Sequence, residues 1–105
     1  MYRSTTPTHT FTLPENANTY SEILVTYKQG NVILEKHYED ETLPSGMSFD
    51  DKNVNIKLTQ EETKSFAGNK PMFAQVRVLT QSNDAYASQS FKINVYPVLD
   101  DEVLA

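Results

Sequence analysis

The sequence has no cysteine and no tryptophan. Without thiols, disulfides, thiolate nucleophiles, Cys-ligated zinc and iron–sulfur clusters are excluded. Gly30, Gly46 and Gly68 are the only glycines, too scattered for a phosphate-cradling loop. No apolar run goes beyond three residues, as in Ile23-Leu24-Val25, whereas a membrane helix needs roughly 20. Basic residues are scarce: 9 Lys and Arg stand against 14 Asp and Glu, a net charge of -5. Such a chain lacks the basic face that neutralises phosphates, so no nucleic-acid partner is expected. No G-x-S-x-G elbow or H-E-x-x-H pair occurs, and no enzyme activity is expected. Residues Met1 to Pro7 lead into no apolar segment of the secretory type, and no lipidation pattern occurs. The absence of Cys fits a cytosolic site of synthesis.

What is present is a strand pattern. The 105 residues suit one domain, 1–105, and 38% apolar content suits a packed core. Thr8 to Leu13 alternates His9, Phe11 and Leu13 with threonines, a half-buried strand that Pro14 ends. Glu15 to Asn18 reads as a polar loop. Glu22–Lys28 and Val32–Tyr38 flank Gln29-Gly30-Asn31, a hairpin with Ile23, Val25 and Tyr27 on one face. Val32, Leu34 and Lys36 share a face of the second strand, and Ile33, Glu35 and His37 the other. Met47–Phe49, Val54–Leu58, Met72–Thr80 and Ala85–Tyr96 read as further strands. Thr59-Gln60-Glu61-Glu62 fits a capping box and predicts a short helical turn over Gln60–Phe66, with Phe66 its core anchor and Gly68-Asn69 a left-handed stop. About seven strands at roughly ten-residue spacing predict an all-β fold, a single antiparallel immunoglobulin-like β-sandwich. Segments 1–6 and 100–105 are the ends open to movement.

Candidate sites are few. His9 and His37 are the only histidines and could in principle serve acid–base work or metal binding. No partner group stands at a spacing that completes a catalytic set, so both read as semi-exposed strand residues. Glu39-Asp40-Glu41, Asp50-Asp51 and Asp100-Asp101-Glu102 read as solvated loop charge, with Ca²⁺ at a sandwich end the alternative. No cofactor or metal is expected. Six tyrosines, Tyr2, Tyr20, Tyr27, Tyr38, Tyr86 and Tyr96, suit either sheet packing or an interface. The tail Val98 to Leu104 sets apolar pairs on either side of three acids, a frayed end or a docking segment. Partner contact is assigned to the first strand, through Phe11 and Leu13, and to the tail, through Val98, Leu99, Val103 and Leu104.

Three stretches carry a resemblance. Thr5-Thr6-Pro7-Thr8-His9-Thr10-Phe11-Thr12-Leu13-Pro14 opens the chain, Lys57-Leu58-Thr59-Gln60-Glu61-Glu62-Thr63 sits mid-chain, and Val76-Arg77-Val78-Leu79-Thr80 precedes the tail Val98 to Leu104. Together they resemble small, uncharacterised proteins encoded by tailed phages and prophages of Firmicutes. Two departures stand out, Ser4 in place of a glycine and Glu15 in place of an apolar residue. The layout also looks like the immunoglobulin-like N-terminal domains of phage baseplate upper proteins, a likeness of architecture only. The resemblance implies a structural or adaptor protein of the virion, in the tail, baseplate or connector. Its implied partners are other phage structural proteins or further copies of the chain, as in a homo-oligomer. A small module that recognises a host glycan or host protein through sandwich-end loops is the alternative.

Overall fold

The computed structural model describes all 105 residues. Its central strand is β2 (Tyr20–Gln29), whose alternation buries Ile23, Val25 and Tyr27 completely and turns Leu24, Thr26 and Lys28 outward. Gly30 and Asn31 return the chain into β3 (Val32–Tyr38), with Gln29 opposite Val32. Gly30 has φ +57° and Asn31 is not left-handed, the pattern of a type II′ turn whose twist suits a hairpin. On its other side β2 pairs with β6 (Pro71–Thr80), Val25 opposite Val76. β6 then pairs with β7 (Ala85–Ala87) and β8 (Phe91–Asn94).

The second sheet has the order β1 (Thr8–Thr12), β5 (Asn53–Lys57), β4 (Met47–Asp50), all antiparallel. It lies across the first: Phe49 meets Tyr38 at 5.0 Å between ring centres, His9 meets Tyr27 at 5.5 Å and Phe11 meets Phe91 at 5.8 Å. The protein is the expected all-β antiparallel sandwich. Its strand order places β1-β5-β4 against β3-β2-β6-β7/β8, the B-E-D and C′-C-F-G arrangement of immunoglobulin-like domains. The core has neither the disulfide nor the tryptophan of antibody domains. Tyr27, Phe66, Ile23, Ile56, Leu58 and Met72 fill it instead, all fully buried, each contributing about 1.5–3 kcal/mol by burial.

The helix α1 covers Gln60–Lys64. Its capping box is formed as read: the Thr59 hydroxyl accepts from the Glu62 amide at 3.1 Å, and the Glu62 carboxylate accepts from the Thr59 amide at 2.9 Å. The helix stops two residues short of Phe66, which is fully buried beneath it. The left-handed residue is Asn69, φ 63°, not Gly68. Gly68 is needed for space, since a Cβ there would lie 2.9 Å from the Pro97 side chain.

Two other expectations need correction. The polar stretch before β2 holds a 3₁₀ turn, Ala17–Thr19, with Ala17 fully buried. The last strand is not continuous from Ala85 to Tyr96. Ala87 lies opposite Arg77 and Phe91 opposite Ala74, so the outer strand spends one extra residue between the two pairs. Ser88 stitches this bulge, its amide donating to the Val76 carbonyl at 2.8 Å and its hydroxyl accepting from the Val76 amide at 3.0 Å. The extra residue resets parity, so Tyr86 opposite Val78 and Phe91 against Phe11 both face the inter-sheet space.

Candidate interaction surface

The two ends of the chain meet at one end of the sandwich. The Tyr96 amide donates to the Met1 carbonyl at 2.8 Å and the Arg3 amide to the Tyr96 carbonyl at 3.0 Å, a short parallel pairing. The Tyr2 and Tyr96 rings meet at 5.2 Å, and both stay exposed. Arg3 is the hub of this end. It donates to the Phe66 carbonyl at 2.7 Å and the Lys64 carbonyl at 2.8 Å, satisfying backbone oxygens at the end of α1. It also pairs with the Asp101 carboxylate at 3.1 Å. The buried Thr63 hydroxyl donates to the Thr5 carbonyl and accepts from the Thr5 amide, fixing the first segment to α1.

The tail is held by polar clips. The Ser4 hydroxyl donates to the Asp101 carbonyl at 2.7 Å. The Gln60 side-chain amide engages both backbone groups of Leu104, each at 2.8 Å, much as a neighbouring strand would. Segments 1–6 and 100–105 are therefore hydrogen-bonded to the body. These clips use tail backbone and the Asp101 charge, which leaves the apolar side chains spare. Leu99 is fully exposed and Leu104 largely so, while Val98 and Val103 are half-buried.

The first strand is placed differently from expectation. Phe11 and Leu13 are 8% and 7% exposed and belong to the core, so they offer a partner almost no surface. The reason is that β1 lies directly over β8 and β2, and its alternation turns Phe11 inward. What β1 presents is a backbone edge, for it pairs with β5 alone. Beside that edge, between the flaring sheets, runs an open groove of about 540 Å³ lined by Leu13, Pro14, Tyr20, Val78, Tyr86 and Ala87.

The two histidines are not brought together. His9 faces inward, its Nδ1 2.9 Å from the Tyr27 hydroxyl. Burial, with the positive chain-terminal amine adding, holds its pKa below the usual value. Burial, with the Glu62 carboxylate adding, pushes the Tyr27 phenol far above its usual value. We assign the phenol as donor to a neutral imidazole. Nearby, the almost fully buried Lys36 pairs with Glu62 at 2.6 Å. Partial burial alone would raise the Glu62 carboxyl, but the bonds from Lys36 and Thr59 outweigh it and hold it low. This network ties α1 to β3 and contains no activated nucleophile. His37 instead lies on the outer face of the larger sheet, between Glu22 and Glu39.

Arg3, Gln60 and Glu22 went unrecognised in the sequence. Their roles depend on pairings 15 to 98 positions apart, between Glu22 and His37 and between Arg3 and Asp101, and no local pattern marks them. Of the tyrosines, Tyr20, Tyr27 and Tyr38 are core and Tyr2, Tyr86 and Tyr96 are surface. No helix is long and apolar enough to cross a membrane. Compared with models of protein families, with curated proteins and with solved structures, the chain finds no match.

Proposed function

We propose that this chain is a structural or adaptor module of a tailed-phage particle, acting by protein–protein contact through the end where its termini lie together. The sequence resemblance supplies the particle. The observation that carries the contact is that Leu99 is fully exposed and Leu104 largely so, on a tail whose backbone is already clipped down, with the exposed Tyr2–Tyr96 pair at the same end. Exposed apolar side chains on a pinned segment lose little further freedom on binding, so their burial converts efficiently into affinity. A floppy tail with the same residues would give part of that gain back in ordering. The reading includes no catalytic step, and the partner is another particle protein or a further copy of the chain.

The test is quantitative mass spectrometry of purified virions carrying either the natural chain or the double variant Leu99→Ser, Leu104→Ser. Both side chains are exposed, so the variant is expected to keep the fold, checked by circular dichroism. A fixed copy number for the natural chain, and loss of the variant from particles by tenfold or more, is expected. A chain absent from clean particles, or a variant incorporated at the same copy number, overturns the reading.

A further inference from the structure

We propose that Glu22, His37 and Glu39 form a binding site for a divalent transition-metal ion on the outer face of the larger sheet. The site follows from strand register. Leu24 pairs with His37, and Glu22, two residues from Leu24 on the same strand, projects to the same side and lies beside His37. His37 and Glu39, two apart on one strand, project to the same side. One ligand atom from each of the three residues lies within 4.8 Å of the others. His37 Nε2 is 2.8 Å from Glu22 Oε1, and Nδ1 is 3.9 Å from Glu39 Oε1. Two ligands of one ion at about 2.1 Å sit roughly 3.0–3.4 Å apart, so the Glu22–His37 pair already has nearly that separation. A side-chain rotation of Glu39 completes the set without backbone movement.

A second observation points the same way. Two carboxylates held close together repel each other. Glu22 and Glu39 both approach His37, at 2.8 and 3.9 Å, and a cation among the three turns that cost into attraction. The donor set decides the class of ion. Calcium takes oxygens in sixes to eights, whereas one imidazole with two carboxylates suits zinc and its first-row neighbours. Three protein ligands leave positions free, and these face a depression of about 230 Å³ bordered by Leu24, Arg77, Leu79 and Ala85. Arg77 stands across Leu24 from His37 and gives an anionic co-ligand, a carboxylate or phosphate, a second point of attachment.

Zinc chloride titrated into the untagged protein tests the site, read by calorimetry and by the histidine ring signals in NMR. One equivalent is expected to bind, shifting the His37 ring. The His9 ring, inward and bonded to Tyr27, is the internal control and stays unmoved. His37→Gln and Glu39→Gln are each expected to weaken binding at least tenfold, and both alter half-exposed or exposed side chains. Failure of millimolar zinc to move the His37 ring overturns the proposal. So does equal affinity in the His37→Gln variant, or calcium binding as well as zinc, since either reduces the site to diffuse attraction between acids and cations.

Discussion

Lys36 and Glu62 form one ion pair whose two members are not equivalent. Lys36 is 7% exposed on β3, and Glu62 both neutralises it and caps α1. Glu62→Ala removes the carboxylate half of the capping box and strands a buried ammonium, so a loss of about 2–4 kcal/mol is expected. Lys36→Met removes the charge and keeps an apolar stem of similar length, leaving the cap intact. Its cost is expected to stay within about 1 kcal/mol. Urea denaturation of both variants checks the asymmetry, and equal losses would contradict it. His9 gives a prediction in pH. Its pKa is lowered in the fold from 6.5, so the unfolded chain binds the proton first and stability falls as pH drops below about 6.5. Urea midpoints at pH 7.5 and 5.5 should differ less in His9→Gln than in the natural chain. The lowered Glu62 carboxyl adds its own acid sensitivity only below its ordinary value of 4.5, outside that window.

At the scale of elements, turns and strand parity decide where side chains go. Glu39-Asp40-Glu41-Thr42 closes on a 2.9 Å bond from the Thr42 amide to the Glu39 carbonyl, with Asp40 and Glu41 both left-handed. That is a type I′ turn, which favours Asp-Gly. A glutamate at φ 58° carries strain that glycine lacks. Glu41→Gly should therefore raise stability by roughly 0.5–1 kcal/mol after the flexibility of the unfolded chain is counted. A lower urea midpoint in the variant would contradict this. The strand positions from Thr8 through Thr80 were legible because alternation is local; the one break among them, a bulge between Tyr20 and Glu22, falls at the start of β2, which was read only from Glu22 onward. The bulge at Ser88 was not read, though a trace of it exists: Tyr86 and Phe91 differ in parity yet both are large and apolar. Only the pairing of Val76 with Ser88 shows which residue is spare.

Across the whole molecule, the proposed interaction end and the proposed metal site are both products of long-range placement. Arg3 reaches Lys64, Phe66 and Asp101 at once, and the tail lies where it does because of Ser4 and Gln60. Glu22 meets His37 only through the register of β2 and β3. The amino-acid sequence by itself determined the all-β class, most strand positions, the Gly30 hairpin and the capping box, because each rests on contacts within a few residues. It also grouped Lys36 with Val32 and Leu34 on one face, but only the structure shows that Lys36 is buried there against Glu62. The tertiary structure alone decided that Phe11 and Leu13 are core while Leu99 and Leu104 are surface. Alternation marks two faces of a strand but not what covers them, and burial is set by whichever sheet packs on top.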